Sequence, residues 1–61
     1  MKIKYKGFWI AVKEICGDYY FIVTREDGSK VKEIEDDYKE WDDETEATEA
    51  AKTAIDEFLD N

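Results

Sequence analysis

The chain has 61 residues, a formal net charge of −8 and a hydrophobic fraction of 43%. This length allows one small domain, which we expect to span residues 1–61, and leaves no room for a second core. With no histidine and a single cysteine, Cys16, the composition excludes a disulfide framework and disfavours a zinc site. The apolar content is too high for a disordered acidic tail, so the chain is predicted to fold.

The acidic residues are concentrated in the second half of the chain. Residues 35–61 contain twelve acids and two bases, a formal charge of −10, whereas residues 1–34 contain seven bases and five acids. Such an asymmetry indicates electrostatic recognition or a simple role in solubility. The net negative charge disfavours direct binding to nucleic acid or to an anionic membrane, because phosphate groups would repel the molecule.

The first twelve residues have the alternating pattern of a β-strand. Ile3 and Tyr5 alternate with lysines, and the period of two continues after Gly7 at Phe8, Ile10 and Val12 with its phase changed. An extra glycine that shifts the phase is typical of a β-bulge. We therefore predict one long strand, bent at Gly7, that runs to about Glu14.

Two further strands and a loop are predicted in the middle of the chain. A turn at residues 16–18 precedes a strand at residues 19–24, which is apolar or aromatic on both faces and so belongs inside a sheet. The pair Asp27 and Gly28 predicts a tight turn into a shorter, more charged strand at residues 30–34. The acidic residues 35–43 show no clean period and are predicted to form a loop.

The last third of the chain has the pattern of an amphipathic helix. Apolar residues recur at helical spacing between Ala47 and Leu59, and Asp43 with Glu46 forms a capping box in front of them, with Asp42 as an alternative cap. We expect a helix from about residue 44 to residue 59. The predicted fold is α+β, a three-stranded antiparallel β-meander with one C-terminal α-helix packed on one face (β-β-β-α).

A single helix can cover only one face of such a sheet. Alternation assigns five residues to the helix side: Phe8, Ile10, Val12, Phe21 and Val23. The opposite face then carries an apolar and aromatic patch of the kind that marks partner contacts, unless lysine stems cover it. The residues predicted to bind a protein partner or a second copy of the chain there are Trp9, Ala11, Tyr20 and Ile22.

The acidic segment before the helix is the second candidate site. Its carboxylates could imitate the phosphates of a nucleic acid and block a basic groove, although charge runs of this kind are usually solvated surface. The candidate residues for contact with a basic partner are Asp36, Asp37, Glu40, Trp41, Asp42, Asp43 and Glu46.

The sequence offers little for catalysis. Cys16 has no histidine to activate it, paired carboxylates would need a cleft, and no calcium-loop pattern is present. We therefore expect a non-enzymatic protein with no metal, no cofactor and no small-molecule substrate. No apolar run reaches the length of a membrane helix, which favours a cytoplasmic location.

Two stretches of the chain resemble known proteins. The letters Y-K-G-F-W-I at residues 5–10 resemble the opening of small, uncharacterised bacterial and phage β-β-β-α proteins, and residues 41–56 resemble their closing pattern of an aromatic residue, an acidic cap and an alanine-rich helix. The plan is also similar to the HicB-like antitoxin domain. The resemblance implies the architecture and assigns no functional residue.

The function predicted from these features is that of a small acidic interaction module. It would bind a protein partner, or itself, through the open face of the sheet. The alternative is an acidic inhibitor or nucleic-acid mimic of the phage or mobile-element type, which would act through the C-terminal acidic half.

Overall fold

The computed structural model describes residues 2–31, 34 and 37–60, and for residues 37–40 it describes the backbone alone. The elements are the strands β1 (Lys2–Tyr5), β2 (Phe8–Ile15), β3 (Asp18–Arg25) and β4 (Asp37–Trp41), followed by the helix α1 (Glu44–Asp60). The strands form one antiparallel sheet in the order β1-β2-β3-β4. The predicted α+β plan, an antiparallel meander followed by a C-terminal helix on one face, is confirmed, although the strand boundaries differ.

The predicted bulge at Gly7 is a hairpin turn. Lys6 and Gly7 have φ angles of 49° and 87°, and Tyr5 pairs with Phe8 across them. Positive φ at both central positions defines a type I′ turn, whose twist suits a two-residue hairpin. Tyr5 and Phe8 are paired across the turn, so they lie on the same face although they are three positions apart. The turn therefore changes the phase of the alternation just as a bulge does, which is why the prediction of one bent strand was wrong.

The fourth strand lies where the sequence predicted a loop. β4 pairs with β3, with Trp41 opposite Tyr19 and Asp37 opposite Phe21, and the register shifts between these pairs. An edge strand has one side open to water, so it tolerates the charges that made this segment look like a loop. Pairing with β3 and the aromatic content of the segment outweigh its acidity.

The strand predicted at residues 30–34 is absent from its described residues. Lys30 makes an isolated bridge with Thr24, and the Ile34 N–H donates to the Val31 carbonyl at 3.1 Å. Val31 and Ile34 are both buried. Because they are three residues apart, a straight strand would point them to opposite faces, whereas a turn lets both side chains reach the core.

The hydrophobic core lies between the sheet and α1. Its buried members are Ile10, Val12, Phe21, Val23, Val31, Ile34, Ala47, Ala51 and Ile55. The predicted helix-side assignment is confirmed, and Phe8 on the same side makes an edge-to-face contact with Phe58 at 5.9 Å between ring centroids. The small Ala47 and Ala51 side chains let α1 approach the sheet closely.

A polar cluster fastens the first hairpin to the end of α1. The Tyr5 hydroxyl donates to both carboxylate oxygens of Asp56, at 3.0 and 3.1 Å, and Lys6 Nζ donates to the same carboxylate at 2.7 Å. Lys52 Nζ lies 5.5 Å from the centre of the Tyr5 ring. These contacts join residues that are about fifty positions apart in the chain, so they fix the helix on the sheet.

Candidate functional site

The four residues predicted for the first site lie together on the sheet face opposite α1. We call this surface the open face and define it by Trp9, Ala11, Tyr20 and Ile22, all of which are half-buried. The strand register arranges them in cross-strand rows, with Trp9 beside Thr24, Ala11 beside Ile22 and Tyr20 beside Lys13. They form one contiguous patch, because adjacent strands bring paired side chains within about 5 Å of each other.

The open face extends beyond the predicted residues. Ile15 ends β2 on the same face as Trp9, and 53% of its surface is exposed. Ile15 was not among the predicted residues, because the strand was expected to end at about Glu14, just before the predicted turn at residues 16–18. Its position two residues after Lys13 and four after Ala11 is the signal that could have placed it there.

Lysine side chains cover part of the open face. The Nζ atoms of Lys2 and Lys4 lie 5.2 and 5.8 Å from the centre of the Trp9 ring, and Lys4 also pairs with Glu26 at 2.6 Å. At an exposed position such a cation–π contact contributes about 0.5–1 kcal/mol. Lys6 binds Asp56 on the helix side of the sheet. Among the described side chains, the lysines that contact the Trp9 ring are therefore Lys2 and Lys4 of β1.

The second candidate site is divided by the structure. Asp36 lies outside the described residues, and Asp37 and Glu40 lie in β4, where the backbone alone is described. Asp42, Asp43 and Glu46 are exposed at the start of α1. Trp41 pairs with Tyr19 and packs against the core, so it is not an exposed aromatic anchor beside these acids.

Two of these acids serve as helix caps. Asp43 Oδ1 accepts a hydrogen bond from the Glu46 N–H at 2.8 Å, as the capping box predicts. Glu46 Oε2 accepts from the Asp42 N–H at 3.2 Å, one residue earlier than the expected partner. Both carboxylates thus have a structural role at the start of α1.

The Trp41 indole is incompletely bonded. Its Nε1 atom is buried and has no acceptor among the described residues. Buried donors are nearly always paired, and leaving one unpaired costs about 1–3 kcal/mol. This donor is therefore an unusual feature of the edge of the sheet near α1.

The contacts of Asp56 with Tyr5 and Lys6 hold the β1–β2 hairpin on α1. The hydrogen bond from Lys6, and then that from Tyr5, hold the pKa of Asp56 below its usual value, while the same bond to Asp56 raises the pKa of Lys6. Both groups are fully charged near neutral pH, so neither exchanges protons there. Among the described residues, no group of three or more histidine, cysteine or acidic side chains could hold a metal ion.

Comparisons of the chain with protein-family models, with curated proteins and with solved structures found no match. The resemblance to bacterial and phage β-β-β-α proteins and to the HicB-like domain therefore stays a prediction. In the part of the chain that the structure describes, no helix combines the length and the apolar character needed to cross a membrane.

Proposed function

We propose that the protein is a cytoplasmic, non-enzymatic interaction module that binds a protein partner, or a second copy of itself, through the open face. The observation that carries this proposal is the contiguous patch of Trp9, Ala11, Tyr20 and Ile22 on the face that α1 leaves uncovered. Exposed apolar patches on small proteins usually mark a contact surface.

The composition of the open face supports a protein partner. Tryptophan and tyrosine are the residues most enriched where interfaces are energetically important, because each buries about 150–250 Å² of surface. Trp9 and Tyr20 each keep no more than about a third of their surface exposed, so covering it removes at most about 85 Å² of each from water, which is worth at most roughly 2 kcal/mol per residue. The surrounding lysines would form the polar rim that such interfaces have.

The solution mass, measured by light scattering over a range of protein and salt concentrations, tests self-association. A dimer that persists in high salt and is lost in Trp9→Ala and Tyr20→Lys would support an apolar contact through the open face. Leu59, which is 49% exposed at the end of α1, provides the control, because Leu59→Ala removes apolar surface elsewhere.

A partner other than a second copy needs a direct binding measurement. The monomeric protein would be titrated with each candidate partner, using wild type, Trp9→Ala and Leu59→Ala. Loss of affinity in Trp9→Ala alone supports the proposal. An association of either kind that Trp9→Ala and Tyr20→Lys leave intact would place the contact elsewhere and refute it.

The alternative, an acidic inhibitor or nucleic-acid mimic that acts through residues 35–49, has weaker support. Asp43 and Glu46 already cap α1, and Trp41 packs against the core. A mimic also requires carboxylates at phosphate-like spacing on one exposed surface. We therefore place the open face first.

A further inference from the structure

A groove runs between α1 and the strands β3 and β4, on the helix side of the sheet. We call it the flank groove and define it by an apolar base and an acidic rim. Its base consists of Phe21, Trp41, Ala50 and Ala54, which are buried or half-buried. Its rim carries the exposed glutamates Glu46, Glu49 and Glu57. An apolar base beneath charged groups is the usual composition of a site for a peptide side chain.

The rim glutamates follow one line along the helix. Glu46, Glu49 and Glu57 are separated by three and eight residues, which places them on one flank of α1. With a rise of 1.5 Å per residue, the first and last lie roughly 16 Å apart along the axis. An extended segment of about five residues covers the same length.

The described lining of the flank groove is acidic. Among the side chains that the structure describes, no lysine or arginine lines the groove, and the ion pairs found there do not involve its glutamates. Lys52, the basic residue of α1, instead lies over the Tyr5 ring. The helix carries six acids and one base, and the chain has a net charge of −8, so a basic ligand is attracted both locally and from a distance.

The Trp41 ring belongs to the apolar base of the groove. Its Nε1 is buried without an acceptor among the described residues. Because this atom is not exposed, the ring offers a ligand apolar surface, and the donor would become available only if the ring turned. The apolar base is independent of the charge of the rim.

We propose that the flank groove binds a short basic segment of a partner protein. Lysine or arginine side chains of that segment pair with the rim glutamates, and an apolar side chain between them packs on Ala50 and Ala54. A nucleic acid would bring phosphates to the rim, and a second copy of the chain has a net charge of −8, so the acidic groove favours a basic segment over either. The groove lies on the opposite side of the sheet from the open face, so this proposal does not depend on the proposed function.

The two tryptophans provide a reporter for each surface. Trp9→Phe leaves Trp41 as the fluorophore in the flank groove, and Trp41→Phe leaves Trp9 on the open face. The probe is a synthetic peptide of nine residues with a central leucine and lysines two and four residues to either side of it, so that in an extended chain these side chains lie on one face. Its control has glutamate in place of every lysine. We expect the basic peptide to change the emission of Trp41 but not that of Trp9, and the acidic peptide to change neither.

Two sets of substitutions separate the groove from the general charge of the molecule. The groove set is Glu46→Gln, Glu49→Gln and Glu57→Gln. The matched set is Glu14→Gln, Asp18→Asn and Asp60→Asn. Each set removes three negative charges, which changes the formal charge from −8 to −5. We expect the groove set to weaken peptide binding about tenfold and the matched set to weaken it less than about twofold.

Three results would overturn the proposal. They are equal weakening by the two sets, an unchanged Trp41 emission, and a response of Trp9 in place of Trp41. Glu46 also bonds the Asp42 N–H, so circular dichroism must show that the groove set retains the helix. If it does not, the pair Glu49→Gln and Glu57→Gln, which leaves the cap intact, gives the same comparison against Glu14→Gln and Asp60→Asn.

Discussion

The turn between β2 and β3 holds Cys16 in a backbone conformation that few residues other than glycine adopt. Its φ angle is 52°, and Gly17 beside it has a φ angle of 85°. Both positions of a type I′ turn require positive φ, and Asn-Gly is the pair that fits it best. Replacing Cys16 by asparagine should therefore stabilise the protein without adding a contact.

The size of the effect follows from the conformation and the exposure of Cys16. The left-handed region costs a residue other than glycine about 1–3 kcal/mol, and asparagine recovers part of this cost. Cys16 is exposed, so its replacement removes little packing. We expect a gain of about 0.5–1 kcal/mol, which in a domain of this size raises the Tm by roughly 3–6 °C.

Thermal and urea unfolding of wild type, Cys16→Asn and Cys16→Ala, under reducing conditions, would measure this gain. Cys16→Ala is the control because it removes the thiol but keeps a side chain that disfavours positive φ. Lys6 occupies the same position in the first hairpin turn, but its bond to Asp56 would be lost on substitution, so Cys16 gives the cleaner test. An asparagine variant no more stable than the alanine variant would refute the reasoning.

Three further substitutions test the contacts of α1 with the sheet and the cap at its N-terminus. Asp56→Asn should lower the urea midpoint at neutral pH. The folded pKa of Asp56 is lowered, so its contribution to stability is complete above the unfolded pKa of about 4. This contribution is lost as the pH falls through the folded pKa, so the stabilities of the two proteins should converge in acid. A difference in urea midpoint that stays constant with pH would contradict this. Ile55→Ala, at a fully buried position, should cost about 2–5 kcal/mol by urea unfolding, whereas a loss under about 1 kcal/mol would mean that the core readjusts. Asp43→Ala should cost about 1 kcal/mol and Asp43→Asn much less, and equal losses would argue against the cap.

The features that the sequence predicted correctly depend on local periodicity. The helix and its Asp43 cap follow from 3.6-residue spacing and from a side chain that bonds its own neighbours. The separation of Ile10 and Val12 from Trp9 and Ala11 follows from strict alternation within β2. These patterns are set within a few residues, so no knowledge of distant contacts is needed.

The features that the sequence missed depend on distant partners or on ambiguous signals. The phase change at Gly7 is common to a bulge and a hairpin, and only the pairing of β1 with β2 separates them. β4 forms because its backbone pairs with the edge of β3, and Val31 is buried because it packs into the core. The flank groove could not be predicted, since it requires Trp41 of β4 to lie beside α1.

The two proposed surfaces have opposite charge and lie on opposite sides of the sheet, which determines how they can influence each other. Among the described side chains, Lys2, Lys4 and Lys13 belong to the open-face side, whereas the flank groove carries three glutamates. Packed layers lie about 10 Å apart. The Debye length is about 8 Å at 0.15 M salt and about 30 Å at 0.01 M. A basic segment in the flank groove should therefore leave the open face almost unaffected at physiological salt, but at low salt it should strengthen the binding of an acidic partner there. A competition between the two ligands that is equally strong at both salt concentrations would indicate a shared surface instead.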